Sequence, residues 1–362
     1  MKIAIISDTH FGYKNSSSYF LSYQQSFFDN VFFPYCEKHG IKDILHLGDL
    51  FDTRKHVTIK ALNFTRTKFF EELRRRGITM NVICGNHDVY YNNTNDLCTL
   101  VEVLQPYADC IRVHMKPAVL KYDGFPIAVV PWIAADNHNE CMEFIRTAPA
   151  SVIAGHFSIG GFKYIANSNI KSEGLSQSLF AKYDLVMSGH YHTKSSAGNV
   201  TYLGSQYQFN WSDVDDRKYF HVYDTSTREL TPIENKERLY VKFYYDDSTI
   251  TKLSDLIQPD VHSSLTIKNN YVRIIVTKKR DYHLFDAFIE RIKSFEPYDL
   301  SIAETYELAT NQSGDVSTAS LEDTTALIDD YVDKVLNTDL NKERIKKMLH
   351  QLHAEALMAD SI

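Results

Sequence analysis

Clusters of Asp, Asn and His follow short apolar segments at five places in this chain of 362 residues. These side chains offer the oxygen and nitrogen atoms that bind divalent cations such as Mn²⁺. The supply is too large for one ion, because two cations ~3.5–4 Å apart need about seven or eight ligands and one bridging carboxylate. The residues concerned are Asp8, His10, Asp49, Asp52, Asn86, His87, Asp88, His156, His190 and His192. The pattern predicts a centre for two metal ions, with Asp49 as the natural bridge.

No single motif in this series is specific. Asn and Asp are ordinary turn residues, Gly supplies the backbone freedom that a turn needs, and a lone His is usually a core or surface residue. The prediction depends on the whole ordered series, which reads D-x-H, GD-x-x-D, GNHD, GH and GH-x-H, each directly behind an apolar run.

The elements that must position these residues are strands. Continuous apolar runs of this length are typical of strands buried on both faces of a layered α/β domain. In an open α/β sheet such strands end at a common crevice, so that residues far apart in sequence converge there. The five segments are residues 2–10, 43–52, 79–88, 150–156 and 183–192.

Helical patterns lie between these strands. Apolar residues recur at helical spacing over 20–38 and over about 57–76, and Gly40 and Gly77 follow as stop signals. A third helix is expected to begin near Asn95 or Asp96, either of which could cap it. Residues 117–132 indicate a hairpin turned at Asp123-Gly124, and short strands after Tyr191 indicate a second sheet packed on the first.

The fold class predicted is therefore α/β, with two mixed β-sheets flanked by helices, a smaller α/β unit and a C-terminal helical segment. The expected boundaries are a core at 1–236, the smaller unit at 237–307, a polar linker at 308–323 and the helical segment at 324–362.

Composition excludes some classes of function. Apolar residues make up 44% of the chain, the mean hydropathy is -0.31, and no apolar run approaches the ~18 residues of a membrane span. The net charge of -7 means that affinity for phosphates must come from local patches or bound cations. Five cysteines without a C-x-x-C pair, and no room for a secretory signal before Asp8, favour a cytoplasmic protein.

The order of the motifs resembles that of the calcineurin-like metallophosphoesterase superfamily. Within it the segments "ISDTHFG", "HLGDLFDT", "GNHD", "GHF" and "SGHYHT" look most like the SbcD-type DNA repair nucleases, relatives of the eukaryotic double-strand-break repair nuclease, and closest to the small subunit of a phage recombination nuclease. The resemblance is carried by motifs over about 1–235 and by architecture alone over 236–362.

This resemblance implies roles for the site residues. One metal ion would take Asp8, His10, Asp49 and His192, and the other would take Asp49, Asn86, His156 and His190. His87 would face the phosphate as a catalytic residue, Asp88 would orient His87, and Asp52 would support the ligands from behind. The ions would be Mn²⁺ in the first place, with Mg²⁺ as the alternative.

The function implied is that of a Mn²⁺-dependent DNA exonuclease and single-strand endonuclease, in which a two-metal-activated hydroxide hydrolyses phosphodiesters. The protein would be the nuclease subunit of a DNA recombination, replication and repair complex, in the host cytoplasm if it is phage-encoded. Its smaller unit would be a capping domain that positions DNA, and its C-terminal helices would bind an SMC-like coiled-coil ATPase of the SbcC type.

A homodimer is also implied, through parts of 57–76 and 93–106. The apolar surface for it would come from Phe64, Phe69, Phe70, Leu97, Leu100, Val101 and Leu104, although ordinary core packing explains most of them equally well. Basic residues expected to contact DNA are Arg54, Lys55, Lys163, Lys278, Lys279 and Arg280.

Rival functions are weaker. A phosphodiesterase of small molecules or cyclic nucleotides fits the core but leaves the smaller unit and the C-terminal helices unexplained. A protein phosphatase of the same superfamily would carry Arg where this chain has Thr53 and Glu where it has Asp88. A scaffold without catalysis would have lost ligands, whereas the expected set is complete.

Overall fold

A computed structural model describes residues 1–162, 174–258, 262–304, 328–329, 332–333 and 341–359, with side chains to residue 352. The chain divides into two compact units. The first comprises Met1–Phe209, Asp215–Glu237 and Met358–Ile362, and the second comprises Asn210–Val214 and Arg238–Leu357.

The first unit contains two six-stranded sheets. The strands of one sheet are β1 (Lys2–Ile6), β2 (Asp43–His46), β3 (Thr79–Ile83), β4 (Ile111–His114), β11 (Lys218–Asp224) and β12 (Glu229–Asn235). Their order is β12-β11-β1-β2-β3-β4, in which β1 to β4 are parallel and β11 pairs antiparallel with β1.

The strands of the other sheet are β5 (Ala118–Tyr122), β6 (Phe125–Val130), β7 (Val152–Gly155), β8 (Leu185–Ser188), β9 (Ser195–Ala197) and β10 (Val200–Tyr202). Their order is β5-β6-β7-β8-β10-β9, with β6, β7 and β8 parallel. The hairpin of β5 and β6 turns at Asp123 and Gly124, both with positive φ, as the Asp-Gly pair predicted.

One apolar core holds the two sheets face to face. Ile3, Ile5 and Leu45 from the first sheet belong to the same buried cluster as Val129 and Met187 from the second. A second cluster joins the outer face of the second sheet to a helix. These layers confirm the predicted α/β sandwich of two mixed sheets flanked by helices.

The first two helices of the first unit lie where the sequence predicted them, each with a π-helical segment, whereas the fourth was not predicted. These helices are α1 (Ser18–Ser26, π-helical Phe27–Phe32, Phe33–Lys38), α2 (Ile59–Thr65, π-helical Arg66–Phe70, Glu71–Arg76), α3 (Thr99–Leu104) and α4 (His138–Thr147). Gly77 ends α2 in the left-handed conformation, as its position predicted. The predicted start of α3 is wrong, because the helix begins at Thr99, four residues after Asn95. In the described part of the chain Asn95 Oδ1 accepts no backbone N–H, while Nδ2 donates to the Trp132 carbonyl.

Much of the apolar surface suggested for a dimer lies inside the chain. Phe69, Phe70, Leu100 and Leu104 are fully buried, so packing against α1 and β4, not self-association, explains them. Leu97 and Val101 remain exposed, and Ile59 and Leu62 on α2 add to the apolar surface.

The second unit contains a three-stranded parallel sheet, β13 (Tyr240–Asp246), β14 (Tyr271–Lys278) and β15 (Asp299–Glu304). Its helices are α5 (Leu253–Leu256), α6 (Ser264–Ile267) and α7 (Tyr282–Lys293), and α7 packs its apolar face on one side of this sheet. A further helix, α8 (Lys342–Ala359), forms ion pairs through His350 with Asp329 and through Lys346 with Asp333.

The predicted linker at 308–323 lies outside the described residues, as does most of 324–340. The bounds and roles of the predicted domains stay predictions. No helix in the described part of the chain is both long and apolar enough to cross a membrane.

Candidate metal centre

The predicted ligands lie together where strands of both sheets end. Across the two sheets, His156 Nδ1 donates to the Leu47 carbonyl at 2.7 Å, and the His190 backbone N–H donates to Asp8 Oδ1 at 3.1 Å. Three overlapping groups have ligand atoms within 4.8 Å of one another: Asp8, His10 and His192; His10, Asp49 and His87; and Asp49, His156 and His190. Asn86 joins the last group, since its Oδ1 lies 2.9 Å from His156 Nε2.

The backbone at these strand ends is left-handed. Asp8, His10, Asp49 and His190 have φ of 53°, 43°, 54° and 86°. This conformation is uncommon outside Gly and is costly unless the surroundings fix it, which is why it concentrates at functional sites. It turns successive side chains of one short loop toward the same point.

Two motif glycines are needed for close approach. A Cβ on Gly85 would collide with the carboxylate and the backbone nitrogen of Asp49, and a Cβ on Gly48 would lie 2.6 Å from the Gly85 nitrogen. The loops after β2 and β3 therefore touch through their glycines. The "GD" and "GN" pairs belong to one packing contact.

In one half of the cluster, two imidazoles face each other. His10 Nδ1 lies 3.2 Å from Asp52 Oδ1, so that nitrogen carries the proton and Nε2 offers a lone pair. That Nε2 lies 3.2 Å from His192 Nε2 and 3.8 Å from Asp49 Oδ2. These nitrogen and oxygen atoms are lone-pair donors that a metal ion could bind.

The other half repeats this arrangement. Because His156 Nδ1 donates to the Leu47 carbonyl, the lone pair of the neutral ring lies on Nε2. It faces Asn86 Oδ1 at 2.9 Å and Asp49 Oδ2 at 3.3 Å. Buried groups of this kind repel one another unless cations lie among them, so the residues fit two divalent ions with Asp49 shared between the halves.

The pKa values reflect the same crowding. Burial would lower the pKa of His156, but the charge of Asp49 and a hydrogen bond to it outweigh burial and raise the pKa to about 9. His10 behaves alike, since Asp52 and Asp49 overcome burial and raise its pKa to about 8. Burial, reinforced by the charge of His156, lowers the pKa of His190 to about 3. Protons on His10 and His156 thus compete with cations for the same lone pairs.

Asp52 contacts two histidines of the site. Its carboxylate lies against His10, and its backbone carbonyl is 2.5 Å from Nδ1 of His87. The prediction that Asp88 orients the His87 ring is therefore wrong. The Asp88 carboxylate instead accepts four backbone N–H groups, those of Asp49, Leu50, Phe51 and Gly85.

The role of Asp88 is thus to hold the loop after β2 against the loop after β3. Burial, followed by the charge of Asp49, raises its pKa to about 7, against the effect of the backbone hydrogen bonds. His87 is half-buried, and burial lowers its pKa.

His46 was missed by the sequence analysis. Its Nδ1 accepts the Gly48 backbone N–H, so its Nε2 donates to Thr9 Oγ1, which in turn donates to the Leu50 carbonyl. This buried chain of bonds joins the loop after β1 to the loop after β2. Burial lowers the pKa of His46 to about 3, which keeps the ring neutral.

Trp132 was also missed, although it follows the apolar run of β6 as the ligands follow theirs. Because β6 is parallel to β7, Trp132 reaches the same edge. Its ring centroid lies 5.3 Å from that of His190 and 6.0 Å from that of His156. On the opposite half, the buried Phe209 contacts the rings of His10 and His192.

The basic residues expected to contact DNA are placed unevenly. Arg54 is half-buried and feels the charge of Asp49, which opposes the lowering of its pKa by burial, whereas Lys55 is exposed. In the second unit Lys278 and Arg280 are exposed, but Lys279 pairs with Glu304 and lies over the rings of Tyr282 and Phe285. Lys163 lies outside the described residues.

Known proteins align with nearly the whole chain. "Exonuclease subunit 1" of Enterobacteria phage T4 is 29% identical over 358 residues, which cover 98% of this chain and 99% of that protein. The SbcD subunit of the nuclease SbcCD of Staphylococcus epidermidis is 24% identical, with 97% and 98% covered. A solved archaeal phosphodiesterase, at 14% identity and a TM-score of 0.34 over 65% of this chain and 100% of its own, is too distant to support an inference.

Residues 1–203 match the model of the calcineurin-like phosphoesterase superfamily domain. This match spans the five strand ends and more than half of the chain. The chain therefore belongs to the calcineurin-like phosphoesterase superfamily and is a phosphoester hydrolase.

Proposed function

We propose that this protein is the nuclease subunit of a DNA recombination and repair complex, hydrolysing phosphodiesters with two divalent cations, Mn²⁺ first and Mg²⁺ as the alternative. The observation that carries the proposal is the cluster of buried electron-pair donors on both sides of Asp49. One ion would be held by Asp8, His10, Asp49 and His192, and the other by Asp49, Asn86, His156 and His190. When bound, such ions polarise the phosphoryl group and lower the pKa of water.

The chain's own catalytic group in this proposal is His87. Its Nδ1–H donates to the Asp52 carbonyl, so Nε2 is the nitrogen that can act on the substrate. To donate a proton to the leaving oxygen, His87 must be an imidazolium, with N–H groups on both nitrogens. The Asp52 carbonyl fixes the ring plane and stabilises that charged form.

DNA as the substrate is supported by the relatives rather than by the cluster itself. Both align over nearly their full length and carry the names of nuclease subunits. Arg54 and Lys55, directly behind the loop after β2, add positive charge next to the acidic cluster.

The rest of the chain would serve the complex. Residues 237–307 would form the capping domain that positions DNA, and 324–362 would bind an SMC-like ATPase. Met348 and Leu352 are exposed four residues apart on α8, which gives that helix an apolar stripe for a partner. The exposed Leu97, Val101, Ile59 and Leu62 would supply the contact of a homodimer.

The substrate is tested by comparing single-stranded DNA with cyclic nucleotides and p-nitrophenyl phosphate in the presence of Mn²⁺. We expect cleavage of DNA to be preferred, and exclusive turnover of cyclic nucleotides would overturn the assignment in favour of a small-molecule phosphodiesterase. His87→Ala should lower the turnover number ~10²–10⁴-fold while metal content stays unchanged. An unchanged turnover number would remove the role of His87.

The partner is tested by co-purification with the coiled-coil ATPase, with and without residues 324–362. We expect truncation to abolish the complex and to leave cleavage of single-stranded DNA by the free subunit intact. A complex that survives truncation would contradict the docking role.

A further inference from the structure

Hydrogen bonds of its backbone fix Trp132 beside the candidate metal cluster. Its N–H donates to the Cys84 carbonyl at 2.7 Å, and its carbonyl accepts from Asn95 Nδ2 at 2.7 Å and Asn137 Nδ2 at 3.0 Å. Cys84 precedes the "GNHD" motif, so the position of Trp132 is tied to the loop that carries Asn86 and His87.

The Trp132 ring is only partly covered. The residue is partly exposed, its ring lies near those of His190 and His156, and no described residue accepts a hydrogen bond from its indole N–H. A partly exposed aromatic ring beside the buried polar groups of the site leaves part of its surface available to a ligand.

Two more exposed aromatic rings lie on the loop that holds Trp132. Tyr90 and Tyr91 are 38% and 48% exposed and form an edge-to-face pair at 4.8 Å. The loop is fixed to the segment after Trp132, since Thr94 Oγ1 donates to Asp136 Oδ2 and the Asp136 N–H donates to the Asn93 carbonyl. Hydrogen bonds therefore hold the segments that carry these aromatic residues against each other.

We propose that Trp132 is a stacking platform for an unpaired nucleobase next to the scissile phosphate, with Tyr90 and Tyr91 taking neighbouring bases. The inference rests on the proposed function and specifies its substrate as single-stranded or frayed nucleic acid. Every base presents a π-face, so stacking selects for an unpaired base without selecting a sequence. The phosphate beside it would lie at His190 and His156, and the base would cover the open side of the indole.

The chain has only two tryptophans, so Trp132 can report on its own contacts. In a full-length Trp211→Phe chain carrying His87→Ala to prevent turnover, the fluorescence of Trp132 would be titrated in Mg²⁺ with oligothymidylate and with an abasic deoxyribose-phosphate oligomer of equal length. We expect oligothymidylate to quench the emission and the abasic oligomer to leave it unchanged. The matched control is Trp132→Phe with Trp211 retained, whose emission should not respond to either.

Binding is then compared among variants at position 132. Trp132→Ala should weaken oligothymidylate about tenfold and leave the abasic oligomer unaffected, whereas Trp132→Phe should stay within about twofold of the parent. Thermal unfolding of each variant checks that the fold persists. Equal quenching by both oligomers, or wild-type binding by Trp132→Ala, would overturn the inference.

Cleavage by the wild-type protein in Mn²⁺ separates the two proposals. If neither oligomer is cut, the nuclease assignment fails. If both are cut with equal kcat/KM and Trp132→Ala matches the wild-type protein, only the stacking role fails.

Discussion

Parallel strands in both units of this molecule end in acidic and basic residues, yet among the described residues only those of the first unit gather into a candidate metal site. At the ends of β13 to β15 in the second unit, each carboxylate has its own donors: Asp247 accepts backbone N–H groups of Arg280 and Asp281, and Glu304 pairs with Lys279. At the ends of β1, β2, β3, β7 and β8, carboxylates and imidazoles face each other instead. Lone pairs that lack hydrogen-bond donors of their own, rather than polar residues at strand ends, therefore distinguish the site.

Replacing one central carboxylate in each unit tests this contrast most severely. Asp49→Asn should abolish metal binding and lower the turnover number by ~10³-fold, because the shared negative charge between the two halves is lost. Asp247→Asn should leave turnover per folded molecule unchanged and reduce stability by about 1–3 kcal/mol through its lost hydrogen bonds. The measurements are metal content by elemental analysis, steady-state kinetics and denaturant unfolding. Equal activity in the two variants would remove the distinction.

Glycine substitutions test the packing behind the site. Gly85→Ala should cost about 1–3 kcal/mol and most of the activity, since the added Cβ would collide with Asp49. Gly124→Ala is the matched control: it also lies in the first unit, has φ of +79° and has nothing within 4 Å of an added Cβ. It should cost only about 1 kcal/mol and no activity. If both variants lose activity alike, close approach at Gly85 is not the reason for the glycine.

A buried histidine outside the site gives the smallest effect. His221 on β11 is buried, and neither ring nitrogen has a hydrogen-bond partner among the described residues. Burial, aided by the charge of Lys194, lowers its pKa to about 3. The unfolded chain binds this proton near pH 6.5, so stability should fall as the pH drops from about 6.5 toward 3, by about 1.4 kcal/mol per pH unit.

His221→Leu should flatten this slope in denaturant unfolding between pH 7 and 5. The exposed His138→Gln should not. Parallel slopes for His221→Leu and the wild-type protein would show that His221 is protonated in the fold.

Local patterns predicted the strands, the long helices and the convergence of ligands, because burial and strand direction leave a periodic trace in the sequence. Hydrogen-bond partners leave no such trace. Asp88 looked like the partner of its neighbour His87, but its oxygens accept backbone N–H groups of a loop 37 to 39 residues away. His46 has partners that depend on where the loops meet, which no spacing encodes.

Trp132 could have been found by applying to β6 the rule used for the other strands. It was passed over because an indole is not a metal ligand. The predicted start of α3 was wrong for a related reason. Asn95 is a good capping residue by type, but in the fold its side-chain amide donates to the Trp132 carbonyl.

Asp52 makes two contacts from one residue, through its side chain to His10 and through its main chain to His87. Any displacement of this short loop moves a metal-ligand candidate and the acid candidate together. A ligand or partner that shifted residues 50–54 would therefore change metal binding at His10 and proton donation by His87 at the same time. A substitution of the Asp52 side chain, by contrast, would remove only the contact with His10, because every residue at this position keeps the backbone carbonyl that His87 contacts.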